Sequence, residues 1–255
     1  MKPLLSVNNL SVLVGSKTLV NQVSFDVPQG RIVAIAGGSG SGKTTIGLSV
    51  LRLLPAALSI TQGSIVFEGR NLLELPVEAM RLCRGARIGM VFQEPLSAFD
   101  PLFTIGEQLD EVLIAHASLS KQDRRKKILE TLSEVELPDC ERAYRSYPHQ
   151  LSGGMRQRAM VAQAIVAGPS LIIADEPTSS LDVTLQFKII ELFRALKSKG
   201  MSILLIAHDL GMIAQLADEV IILNQGNMVE IGPVAEVIGR PQQAYTKALV
   251  EASYC

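Results

Sequence analysis

Residues 32–36 read Ile-Val-Ala-Ile-Ala, and the chain then runs directly into Gly37-Gly38-Ser39-Gly40-Ser41-Gly42-Lys43-Thr44-Thr45. The spacing is G-x-x-x-x-G-K-[ST], and its place after an apolar run constrains the fold more than any other stretch. Four glycines and two serines let the backbone curl until several N–H groups point into one concavity. Ile46, Leu48, Val50, Leu51, Leu53 and Leu54 follow at helical spacing. The concavity therefore lies at a helix N-terminus, where unpaired N–H groups and the dipole favour an anion. Lys43 can reach the outer phosphates of a nucleotide, and the Thr44 hydroxyl is placed to ligate Mg²⁺. A bare flexible turn would need neither the Lys-Thr pair nor the strand and helix around it.

A length of 255 residues fits one α/β domain, with room for an inserted subdomain. The net charge of -1 argues against a nucleic-acid footprint, which needs a clustered basic excess. Cys83, Cys140 and Cys255 are far apart and odd in number, which suggests reduced thiols in a cytosolic compartment and no metal-ligand spacing. Met1-Lys2-Pro3-Leu4-Leu5 lacks the apolar block of a signal peptide. The longest charge-free stretch in the motif-rich half, Ala159 to Ala174, contains Gln163 and is broken by Gly168-Pro169. It is also shorter than the roughly 20 apolar residues of a spanning helix. Any service to a membrane is given from one side.

Partial alternation over 4–14 and 18–27 predicts strands around the turn-like Val14-Gly15-Ser16-Lys17. The run 31–36 does not alternate, as expected of a parallel strand covered on both faces. Further strands are expected at 63–69, 88–92, 171–174, 202–207 and 219–223, with helices over 184–198 and 210–217. Such alternation implies a parallel sheet flanked by helices. Residues 94–150 break the rhythm: they predict helices near 104–116 and 121–135, a helical insertion in an α/β core. The charge-dense Lys121–Lys127 reads as a solvated helix face.

Two further stretches carry chemistry. Leu171-Ile172-Ile173-Ala174-Asp175-Glu176-Pro177 ends an apolar strand in two carboxylates, at the sheet edge where ligands of open α/β sheets bind. If that edge faces the cradle, Asp175 can hold Mg²⁺ opposite Thr44, and Glu176 is left to polarise an attacking water as general base. Leu151-Ser152-Gly153-Gly154-Met155-Arg156-Gln157-Arg158 sets a natural N-cap before an apolar-periodic helix. It is a second glycine-lined helix start, although the first already satisfies the phosphates.

Taken together, these stretches resemble the ATP-binding subunit of an ATP-binding cassette (ABC) transporter, over nearly the whole length. The resemblance implies an α/β fold of the P-loop NTPase kind: a RecA-like parallel sheet core with an N-terminal antiparallel β subdomain and an inserted helical subdomain. It implies a single cassette over 1–255, with the helical subdomain at 94–155 carrying the signature. Ser152, Gly153 and Gly154 would close over the γ-phosphate held by another subunit, acting in trans. Gln93 matches the glutamine that touches Mg²⁺ and the attacking water. Ser180-Leu181-Asp182 matches the loop that crosses the dimer interface, and His208 the switch histidine at the γ-phosphate.

Within the family, Tyr147-Pro148-His149-Gln150-Leu151-Ser152-Gly153-Gly154-Met155-Arg156-Gln157-Arg158 is similar to the signature of the peptide/nickel importer branch. Gln93-Glu94-Pro95 through Phe99-Asp100-Pro101 and Ala244-Tyr245-Thr246-Lys247-Ala248-Leu249 agree with it. The resemblance implies ATP and Mg²⁺ as cofactors and hydrolysis that drives import through two separate permease subunits. A second ATPase subunit is implied, a heterodimer before a homodimer, with an extracytoplasmic solute-binding protein and no nucleic acid. The subunit would lie peripherally on the cytoplasmic face of the inner membrane. Two departures stand out. Val12, Leu13 and Val14 offer no aromatic to stack adenine, and the chain stops at Tyr254-Cys255, short of the cysteine-bearing extension of many peptide-type members. That shortness leans toward nickel or metallophore import. The readings from other classes are a soluble cassette ATPase acting on DNA or ribosomes, and a nucleotide-binding regulator without turnover.

Overall fold

The computed structural model describes residues 3–179 and 181–253. It comprises two compact units: one holds the residues up to Met80 and those from Phe193 on, the other Arg81–Leu192. The chain enters the first unit through β1 (Leu5–Val14) and β2 (Lys17–Val27), antiparallel around the turn at Gly15. Their alternation is only partial because the register shifts between Val7 and Leu10. Asn9 takes up the extra residue at φ 48, and its N–H donates to the Ser24 hydroxyl at 2.7 Å. A bulge of this kind returns Leu10 to the buried face. The chain continues through β3 (Ile32–Gly37), buried throughout, and α1 (Lys43–Leu51). Next come β4 (Leu58–Phe67) and β5 (Arg70–Asn71), which complete an antiparallel sheet in the order β2-β1-β4-β5.

The second unit takes in the end of α2 (Val77–Cys83), from Arg81, and continues with β6 (Ile88–Val91). Helices follow without an intervening strand: α3 (Pro95–Ala98), α4 (Ile105–His116), α5 (Lys121–Glu134), α6 (Cys140–Arg145) and α7 (Gly153–Ile165). Thr104 opens α4 with a reciprocal capping box to Glu107, while Ser120 caps α5 and Asp139 caps α6. Ile105, Leu109, Leu113, Ile128 and Leu132 are fully buried, so α4 and α5 are held by apolar stripes. The Arg124 guanidinium adds a two-pronged bond to Asp110, at 2.6 and 3.1 Å. Residues 121–127 are mostly exposed, as their charge density demands. The chain then forms β7 (Leu171–Asp175), parallel to β6 with Val91 opposite Ala174, and α8 (Val183–Ser198).

The return to the first unit brings β8 (Ser202–Ile206), α9 (Leu210–Leu216), β9 (Glu219–Asn224) and β10 (Asn227–Pro233). Two final helices are α10 (Val234–Val237) and α11 (Ala244–Ser253). β3 lies between β8 and β9, parallel to both, and β10 is antiparallel to β9. A charged cluster fixes where β3 starts. The Asp218 carboxylate accepts from the Ile32 N–H at 2.8 Å, from Lys197 Nζ at 2.7 Å and from Arg31 Nη1 at 2.9 Å. No helix of the described residues is long and apolar enough to cross a membrane.

Candidate functional site

In the first unit, β3 delivers the chain into the glycine-rich loop, and the loop's neighbours explain its glycines. A Cβ on Gly37 would lie 2.1 Å from the Leu223 carbonyl oxygen, and one on Gly42 would lie 2.7 Å from that of Leu19. Both residues also hold left-handed φ, 151° and 100°. Gly38, Ser39 and Gly40 form the outer rim, half-buried to exposed, while Thr44 is exposed and Thr45 half-buried. Lys43 curls back so that its ammonium donates to the Gly37 and Gly38 carbonyls at 2.8 and 2.9 Å. The cap of α1 at Gly42 makes no side-chain hydrogen bond, and no acidic residue occupies its first turn. Ser41 Oγ is buried with no partner among the described residues. A helix start without a side-chain cap, a buried ammonium and an orphaned hydroxyl fit a phosphate chain.

His208 shares this unit. Ile206 of β8 pairs with Ile35 of β3, so His208 and Gly37 each lie two residues past a matched pair, at the carboxyl edge of the strands. His208 is exposed, and the next residue, Asp209, caps α9 by accepting from Gly211 and Met212 N–H. One contact of the loop reaches far along the chain. The Gly38 N–H donates to the Tyr245 hydroxyl of α11 at 3.1 Å, and a Cβ on Gly38 would lie 3.3 Å from that oxygen. A tyrosine on a short terminal helix carries no local signal of that contact.

The second unit repeats the edge geometry. Val91 and Ala174 are paired, Gln93 and Glu176 each follow two residues later, and Gln93 Nε2 donates to Glu176 Oε2 at 3.3 Å. Asp175, the last residue of β7, is buried; Glu176 is half-buried and sits at φ 44, where non-glycine residues are uncommon. Gln93 is exposed. Asp182 caps α8, its Oδ1 accepting from the Leu185 N–H at 2.9 Å, while Ser180 beside it lies outside the described residues. Hydroxyl and carboxylate oxygens are the donors Mg²⁺ prefers, and it takes few of them from protein beside substrate phosphates. Among the described residues no group of three His, Cys, Asp or Glu could hold a metal.

The second glycine-lined start is also here. The Ser152 hydroxyl caps α7 by accepting from Met155 N–H at 3.3 Å. Gly153 is exposed and a Cβ on it would meet nothing within 4 Å; on Gly154 it would lie 2.8 Å from the Leu185 side chain. An open cavity of about 450 Å³ adjoins them, lined among others by Ser152, Gly154, Arg158 and Lys188. Cys83 and Cys140 form no disulfide among the described residues, and Cys255 lies outside them.

Comparison with known proteins gives these motifs a context. Residues 20–179 match the family described as ABC transporter. The dipeptide transport ATP-binding protein DppD of Bacillus subtilis (strain 168) is 44% identical over 256 residues, which cover 98% of this chain and 76% of that protein. The peptidoglycan transport ATP-binding protein YejF of Agrobacterium fabrum is 45% identical over 257 residues; 98% of this chain spans only 47% of that longer relative. Among solved structures, the ATP-binding cassette MJ0796, a dimer in a post-hydrolysis state bound to ADP and Pi, superposes with a TM-score of 0.80. That match is at 28% identity and covers 90% of this chain and 98% of the cassette. On the match over residues 20–179 and the near full-length likeness to DppD, the chain belongs to the ABC transporter family.

Proposed function

We propose that this chain is the ATP-hydrolysing subunit of an importer for peptides. The observation that carries the reading is the Glu176 turn: β7 ends in Asp175, the next carboxylate is held in a left-handed turn, and Gln93 donates to it. The loop at Gly37–Thr45, with Lys43, holds the phosphates, and Glu176 draws a proton from the attacking water as general base. Thr44, Asp175 and Gln93 are the ligands proposed for Mg²⁺, which when bound neutralises charge on the phosphates. His208 steadies the γ-phosphate, and Ser152, Gly153, Gly154 and Asp182 serve a second ATPase subunit across a dimer.

Names of relatives point to the solute. DppD is named for dipeptides and YejF for peptidoglycan, so peptides are preferred here over nickel or a metallophore. The helical segment 94–155 is proposed to dock on two permease subunits at the inner face of the membrane. Leu96, Leu102, Phe103 and Ile114, all exposed on it, support that role. A solute-binding protein completes the assembly, and two unlike cassettes are preferred over a homodimer. The test is Glu176→Gln. Turnover should fall by about 10²–10⁴-fold, the usual worth of a general base, while ATP binding persists and a closed dimer accumulates. Hydrolysis at the wild-type rate would remove Glu176 from that role. Uptake of a labelled dipeptide against labelled nickel, in cells lacking the chain, decides the solute.

A further inference from the structure

Gln157 is the fifth residue of α7, the helix capped by Ser152, and it is only 1% exposed. Its Nε2 donates to the Pro177 carbonyl at 2.6 Å, while its Oε1 is buried with no hydrogen-bond partner among the described residues. A polar side chain kept only to fill space would not carry that unsatisfied oxygen, because an aliphatic one fills the same volume without it. The bond falls at a telling place. Pro177 has no N–H, so its carbonyl is its one backbone handle for a hydrogen bond, and it directly follows Glu176.

The turn needs such handles. Glu176 lies at φ 44, a conformation that a residue with a Cβ keeps only where its surroundings hold it. The Glu176 carbonyl accepts from Ser179 N–H at 3.2 Å and from the Ser179 hydroxyl at 3.1 Å. Further along, Gln186 Nε2 of α8 reaches the Thr178 and Leu181 carbonyls at 3.3 and 3.2 Å. Of these restraints, only the Gln157 bond comes from α7.

We propose that Gln157 is a positioning residue for the Glu176 carboxylate, its buried amide tying the helix that opens with Ser152-Gly153-Gly154 to the left-handed turn that carries Glu176. The proposal rests on the reading of Glu176 as the base. If the Ser152 start meets a nucleotide held by a partner subunit, the tie gives that contact a route to the carboxylate serving this chain's own nucleotide. Engagement at one site then sets the geometry of the base at the other.

The test uses this chain together with its partner ATPase subunit and single-turnover hydrolysis of ATP with protein in excess. Gln157→Met keeps length and apolar bulk but removes the donor, and Gln157→Asn keeps an amide that stops short of Pro177. Both should slow the hydrolytic step by about ten- to a hundredfold, the scale set by small misplacement of a reacting group, with ATP affinity within about twofold of wild type. Neither should slow hydrolysis further in the Glu176→Gln background. Wild-type rates in the folded variants, a loss confined to ATP affinity, or an equal loss in the Glu176→Gln background would each overturn the proposal. Failure of both variants to fold makes Gln157 a packing residue and overturns it too. Hydrolysis that survives Glu176→Gln removes the base itself, whereas normal Gln157 variants beside an inactive Glu176→Gln chain remove only the tie.

Discussion

The two glycine-lined helix starts differ in where the demand for glycine comes from. At the start of α1, the chain itself leaves no room: a Cβ on Gly37 or Gly42 would strike a backbone carbonyl within the same unit. At the start of α7, Gly154 packs against Leu185, but Gly153 faces open space and holds no left-handed φ. Nothing in the described residues requires Gly153 to be glycine. A position that is free in its own chain yet flanked by a serine cap and a cavity suggests a constraint imposed from outside, by a ligand approaching the backbone closely. That contrast supports the proposal that the first start serves this chain's nucleotide and the second a partner's.

The sharpest way to break the comparison is Gly37→Ala. Its Cβ must displace the Leu223 carbonyl of β9 and adopt an unfavourable φ, so β3 and the loop shift together. Overpacking and backbone strain together should cost about 3 kcal/mol of stability or more, and ATP binding should be lost. Chemical denaturation and a nucleotide titration read the two effects. Unchanged binding would mean that the first start is not built around its glycines.

Gly153→Ala is the matching probe and should behave in the opposite manner. With no contact to offend, alanine at the first residue of α7 should leave stability unchanged or raise it by about 0.4–1 kcal/mol, through reduced freedom of the unfolded chain. ATP binding by the isolated chain should be untouched. Hydrolysis, measured with the partner subunit present, should fall about tenfold, the scale of one interaction made only in the transition state. A full-rate Gly153→Ala chain would erase the distinction between the two starts.

Much of this contrast was legible in the sequence, because it lives in contiguous residues. The run 32–45 announces strand, loop and helix, and β6, β7, β8 and β9 each coincide with an apolar run. Other elements hid for physical reasons. β4 begins at Leu58, five residues before the expected Gly63, because its first half is exposed or half-buried and shows no apolar pattern. β10 is likewise a mostly uncovered strand next to β9, and α6 and α11 are short helices with one buried residue each, Ala143 and Thr246. The site contacts that were missed are long in sequence: Tyr245 meets Gly38 from 207 residues away, and Gln157 meets Pro177 across 20. No local period encodes such a pairing. The family's motif order pointed to Gln93 and Glu176 separately, but not to the bond between them, which spans 83 residues.

The framework behind the first start offers the mildest test, since it acts on β3 without touching the loop. Burial pushes the Asp218 carboxyl upward, but hydrogen bonds from Lys197, the Ile32 N–H and Arg31 outweigh it and hold the group below its ordinary value. A carboxyl with a depressed folded value stabilises the fold above its unfolded value, near 3.9, and loses that contribution as the pH falls through the folded one. Asp218→Asn keeps the shape but removes the charge, so it should cost about 1–2 kcal/mol at neutral pH, the lower part of the range for bonds to charged groups because Arg31 is largely exposed. The gap between the two proteins should begin to close as the pH drops below about 4 and vanish once it falls through the lowered folded value, where the native carboxyl also becomes neutral. ATP affinity should change little, because the loop's own contacts to Leu223, Leu19 and Tyr245 remain. Denaturation series at neutral and acid pH, run beside a nucleotide titration, measure both. If Asp218→Asn weakens ATP binding as much as Gly37→Ala does, the loop is held by its strand and not by its glycines, and the contrast between the two helix starts loses its first half.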